Sequence, residues 1–159
     1  MSDSTYAGPA VTPNDVFITR AFDAPVATVW KFWTEPEFIA QWFGPTGIHV
    51  DVASVKIDLE VGGSWSLVMT EDATGAQFPI DGRITALRPG EYLEVQSDAL
   101  AQDGPMEDIM MRITFHDHGD RTRVTLHQGP FTEEQRSQTA TGWEMSFVKL
   151  DGIFAGGAA

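Results

Sequence analysis

Residues 132–155 read TEEQRSQTATGWEMSFVKLDGIFA, a segment with one helical period from end to end. Thr132 is a suitable N-cap. Glu133 and Glu134 fall in the first turn, where the positive end of the helix dipole favours carboxylates. Ala140, Trp143, Phe147, Leu150 and Phe154 recur at spacings of three and four, which is one helical face. So aromatic a stripe has to lie on another apolar layer. Gly142 and Ser146 flank the stripe. Small side chains there either bring the helix close to its partner or leave a gap above it.

The partner layer is written in the preceding residues as short alternating runs. Ser64–Glu71 puts Trp65, Leu67 and Met69 on one face. Phe78–Leu87 does the same with Phe78, Ile80, Gly82 and Ile84. Asp108–Phe115 puts Ile109, Met111, Ile113 and Phe115 together and leaves Met110, Arg112 and Thr114 on the other side. Arg121–Gln128 aligns Thr122, Val124 and Leu126. Tyr92–Ser97 reads as a short strand, His49–Leu59 as one continuous strand, and Asn14–Phe22 as the first strand. Turns are expected at 60–63, 72–76, 88–91 and 116–120, and a loop at 98–105. Strands joined by such short connections pair antiparallel.

Two short helices follow the first strand. Asp23-Ala24-Pro25 stops the strand, and Val26, Val29, Trp30 and Trp33 form a stripe. Thr34 and Glu37 form a capping-box pattern for a second helix that includes Phe38, Ile39 and Trp42. Phe43-Gly44-Pro45 ends it. The expected architecture is α+β: a curved antiparallel sheet of about six or seven strands wrapped around a long C-terminal helix, the helix-grip layout.

Composition narrows the chemistry. The chain has 159 residues, and residues 14–156 are expected to form a single domain after a flexible tail, 1–13. That tail has neither the basic start nor the apolar core of a secretory signal. No apolar run approaches the ~20 residues of a membrane span. A cytoplasmic location is expected. There is no cysteine, which excludes disulfides, thiolate metal sites and cysteine nucleophiles. Ten Lys and Arg stand against 23 Asp and Glu, for a net charge of −13, so nucleic acid is not an expected partner.

The ordered motifs carry a resemblance. Arg20-Ala-Phe-Asp-Ala-Pro25, Val29-Trp30, Thr34-Glu-Pro36, Trp42-Phe-Gly-Pro45, Gly62-Gly63-Ser64-Trp65, Arg88-Pro-Gly-Glu91 and Gly142-Trp143 resemble the bacterial AHSA1-like (Hsp90-ATPase-activator-like) proteins. These belong to the START/Bet v 1-like (SRPBCC) superfamily. Glu60-Val61 departs from the Arg-Pro that often precedes the Gly-Gly. The resemblance implies the helix-grip fold and a hydrophobic ligand between sheet and long helix. It also implies two alternatives: a polyketide cyclase or aromatase, and a module acting on a chaperone.

Each chemical motif has a plain structural reading beside the functional one. Tryptophan and methionine are core fillers first. Read functionally, Trp33, Trp65, Met69, Phe78, Met111, Trp143 and Phe147 would wall a ligand cavity. His116-Asp117-His118 looks like a metal pair, but it lies in an expected turn with no third ligand, so neither metal nor cofactor is expected. His49 and His127 read as surface residues first, and either would be a general base only if it pointed into the cavity. His49, Asp81 and Arg112 are the acid–base candidates an enzyme would need. Neither a nucleophile elbow nor a phosphate-binding glycine motif occurs. The leading expectation is non-catalytic binding of a small hydrophobic or aromatic molecule, with a homodimer as a secondary one.

Overall fold

Alternating apolar and polar residues build most of this molecule. The computed structural model describes residues 9–101 and 104–156. Its strands are β1 (Val16–Phe22), β2 (Ile48–Val50), β3 (Lys56–Ile57), β4 (Trp65–Glu71), β5 (Gln77–Arg88), β6 (Tyr92–Ala101), β7 (Gly104–His118) and β8 (Arg121–Gly129). The helices are α1 (Val26–Thr34), α2 (Pro36–Ile39) and α3 (Glu133–Ala155). Seven strands pair antiparallel in the order β1-β8-β7-β6-β5-β4-β2, and β3 adds to β4. This is the helix-grip fold.

One face of the sheet is apolar because its period-two residues are. Leu67, Ile84, Val95, Ile113, Val124 and Leu126 are all buried on it. The sheet has to curl around α3, and Gly82 lets β5 do so. A Cβ there would meet the Trp65 carbonyl at 2.5 Å and Val95 Cγ1 at 2.7 Å, so only glycine fits.

Helix α3 begins as its sequence implies. Thr132 Oγ1 accepts from the Gln135 amide at 3.1 Å, and Gln135 Oε1 accepts from the Thr132 amide at 3.0 Å. Trp143, Phe147, Leu150 and Phe154 are buried against the sheet and the short helices. Phe22 of β1 meets Phe147 edge-on at 5.4 Å, and Phe32 of α1 meets Phe154 at 5.1 Å. The Arg20 guanidinium bridges β1 to Asp151 and Glu144 of α3. Among the described residues no helix is long and apolar enough to cross a membrane.

Four local expectations change. First, Thr34 does not cap the second helix. Its hydroxyl donates back to the Trp30 carbonyl at 2.8 Å, closing α1, and Glu35 occupies the cap position before Pro36. Second, the continuous strand 49–59 is divided into β2, a 3-10 turn at Val52–Ser54, and β3. Ser54 Oγ holds the break, donating to the Asp51 carbonyl at 2.7 Å and accepting from the Val68 amide at 3.2 Å. Third, the loop expected at 98–105 belongs largely to a hairpin, with Ala101 paired to Gly104. Fourth, His116 and His118 end strand β7 rather than sit in a turn. Near the end of the expected tail, the Thr12 amide donates to Asp15 at 3.0 Å. Residues 1–8 of that tail, and 157–159 of the expected frayed end, lie outside the described residues.

Candidate functional site

Of the two outcomes open for Gly142 and Ser146, close approach or a gap, the structure has the gap. A cavity of about 380 Å³ lies between residues 138–146 of α3 and the sheet. Gly142 and Ser146 face it from above. A Cβ on Gly142 would touch only Pro45, at 3.9 Å and beyond. The floor is the inward face of five strands, and its period-two alternation is what aims those side chains at α3. Trp65 and Met69 come from β4, Phe78 and Ile80 from β5, Ser97 and Ala99 from β6, Met106, Ile109 and Met111 from β7, and Gln128 from β8.

Five of the seven expected wall residues meet here: Trp65, Met69, Phe78, Met111 and Trp143. Trp33 and Phe147 do not line the cavity. Both are buried behind its wall, Trp33 stacked 5.7 Å from Trp143 and Phe147 at 5.5 Å from it. They set where the Trp143 ring sits. Phe43 packs against both Trp65 and Trp143, at 5.7 and 5.4 Å, and closes that end.

Other lining residues escaped the sequence reading for separate reasons. Gln128 continues the Thr122, Val124, Leu126 alternation by one more step, so its face was available from spacing. Met106 was not, because the β6–β7 register shifts between Ser97 and Ala99. That irregularity puts Met106 on the inner face, beside the positive-φ residue Asp108.

The wall's polar groups are neutral. None of the described lining residues is ionisable. Trp143 Nε1 donates to Gln128 Oε1 at 2.7 Å. Ser146 Oγ donates to the Gly142 carbonyl at 2.9 Å, and Ser97 Oγ to the Ile109 carbonyl at 3.5 Å. The acid–base candidates lie elsewhere. His49 is solvent-exposed and paired to Asp72 at 2.5 Å. Asp81 is exposed and accepts from Ser66 Oγ at 3.1 Å. Arg112 pairs with Glu94 at 3.3 Å.

One rim is a strap, residues 44–48, between α2 and β2. Gly44 and Gly47 hold positive φ, and Pro45 and Ile48 face the cavity. Lys149 of α3 pins the strap by donating to the Pro45 and Ile48 carbonyls at 3.2 and 3.1 Å. Burial pushes the Lys149 ammonium below its ordinary value, and nearby Asp72 partly offsets this.

His127 is a further correction. It is buried rather than on the surface, with 2% exposure. Its Nε2 meets Asp15 Oδ2 at 2.9 Å. Burial works to raise the Asp15 carboxyl, but hydrogen bonds from His127 and Thr12 outweigh it and hold the group below its ordinary value.

The family model described as "Activator of Hsp90 ATPase homolog 1-like protein" matches residues 23–155. The chain belongs to the AHSA1 family. Solved structures superpose on it over most of its length. A protein from Chromobacterium violaceum matches with a TM-score of 0.78 at 21% identity, covering 89% of this chain and 97% of that one. The AHSA1 protein from Silicibacter pomeroyi gives 0.76 at 21% identity, with the same coverage of 89% and 97%. DynU16, a protein of the dynemicin biosynthetic locus, gives 0.68 at 20% identity, covering 91% of this chain and 48% of that one. Among curated proteins no sequence match is found.

Proposed function

We propose that this AHSA1-family protein is a cytoplasmic, non-catalytic binding protein that holds one small hydrophobic or aromatic molecule beneath α3. The observation that carries this reading is the make-up of the cavity wall. Its side chains are aromatic, aliphatic and methionine, with a few neutral polar groups, and no described one is ionisable. Small-molecule sites have this composition and about this size. Methionines 69, 106 and 111 add adaptable surface, since their thioethers repack around different shapes. The cyclase-type alternative draws on the superfamily resemblance, and the chaperone-directed one on the family's description. The described lining residues offer no acid or base for the first, and the cavity does not bear on the second.

The test is a titration with the neutral fluorophore 1-aminoanthracene, whose emission rises in apolar surroundings. The wild-type chain should saturate at one probe per chain. Gly142→Leu projects a side chain into the cavity and should weaken binding about tenfold or more, because overfilling a packed space costs about 1–3 kcal/mol. Equal affinity in a folded Gly142→Leu variant contradicts the proposal.

A further inference from the structure

The Gln128 side chain has a fixed orientation. An indole N–H is only a donor, so the atom that Trp143 Nε1 meets at 2.7 Å must be the amide oxygen. The amide NH2 is then the other terminus, with two donors to place. It makes no hydrogen bond among the described residues, and it is not sealed within the packed core. Gln128 stands opposite Met111 in the β7–β8 register, and both line the cavity.

The neighbouring hydroxyls differ. The Ser146 proton is committed to the Gly142 carbonyl at 2.9 Å, and the buried Ser97 hydroxyl faces the Ile109 carbonyl at 3.5 Å. On the sheet side of the cavity, Gln128 therefore carries the side-chain N–H donors that have no acceptor among the described residues, while Gln138 and Thr139 line the cavity from α3. A donor in an apolar pocket calls for an acceptor on the ligand, since an unmatched polar group loses its hydration when the ligand covers it.

We infer that Gln128 sets the specificity of the cavity, and that the ligand class is a flat, neutral aromatic carbonyl compound: a ketone, quinone or lactone. The carbonyl oxygen accepts from Gln128 Nε2. The ring system lies between Trp143 above and Trp65 and Phe78 below. Carboxylates fit poorly, because no described lining residue carries a countercharge and the chain's net charge is −13. Trp143 is then both wall and positioning residue, since its N–H selects which end of the amide faces the ligand. This inference rests on the binding reading proposed above.

The experiment compares 9-fluorenone with fluorene by calorimetric titration of the full chain. The two share one tricyclic skeleton and differ by a carbonyl in place of a methylene. The wild-type chain should bind the ketone about three- to tenfold more tightly, the gain of one net hydrogen bond. In Gln128→Met, of similar length and without a donor, that ratio should collapse to about one. Trp143→Phe should also lower it, because the amide loses its orientation, and this variant carries the test if Gln128→Met does not fold. Fluorene binding with no preference for the ketone, or a ratio unchanged in the variants, overturns the role of Gln128 and leaves the binding reading standing. Failure of both compounds to bind overturns both.

Discussion

Gly129 shows how one residue position can hold a distant segment. A Cβ there would sit 2.2 Å from Asp15 Oδ1 and 3.3 Å from Asp15 Cα. The missing side chain is what lets Asp15 reach His127 at 2.9 Å. Gly129→Ala should therefore destabilise the fold by about 1–3 kcal/mol, the usual range for overpacking, and urea denaturation will measure it. Nothing near His127 in the sequence reveals this contact, because its partner is 112 residues away. That is why a strand histidine reads as a surface one. Gln128 is the opposite case: its inward face follows from two-residue alternation alone. Trp33 and Phe147 fall between the two. Their burial is legible from helical spacing, but whether a buried ring faces a cavity or backs its wall depends on how Trp143 stacks between them.

Elements with local signals were legible, and those shaped by tertiary contacts were not. Helix α3 carries its own cap and stripe, so its start and its buried face are both readable from residues 132–155. The small residues beside that stripe marked where helix and sheet either meet closely or part, without deciding between the two. The break between β2 and β3 has no comparable local signal, because it depends on Ser54 bonding to Val68 of β4. The strap 44–48 is likewise a tertiary device. Its glycines give it shape, but Lys149 of α3 gives it position. Replacing that lysine with methionine keeps most of the apolar stem and removes the donors to two carbonyls. Lys149→Met should lower stability by about 1 kcal/mol and speed hydrogen exchange at the strap amides. Exchange rates at 46–48 that match the wild type would show that the strap holds itself.

The described residues form a sheet, a long helix and two short helices around the cavity, and carboxyls away from that cavity give the fold a defined response to acid. Two carboxyls outside the cavity are held below their ordinary values. At Asp15, burial opposes the shift and the His127 and Thr12 hydrogen bonds prevail; at Glu94, burial is likewise outweighed, by Tyr92, Thr85 and Arg112. A depressed carboxyl adds stability above its unfolded pKa, and that stability is lost as pH falls through the lowered folded value. The contribution of these two carboxyls should thus be constant near neutrality and decline below about pH 4. The Asp15→Asn, Glu94→Gln double variant should be less stable at pH 7 and show a shallower decline, read from urea midpoints across pH. None of these groups faces the cavity, so ligand binding should change little over the neutral range. The central claim, that the ligand sits beneath α3, is tested most directly by methyl NMR on a chain carrying 13C-methyl methionine, titrated with 9-fluorenone. Met69, Met106 and Met111 line the cavity, whereas Met110 points to the opposite face of β7 and Met145 is exposed on α3. The account predicts saturable shifts at Met69, Met106 and Met111, with Met110 and Met145 unmoved. Shifts confined to Met110 or Met145 would contradict it.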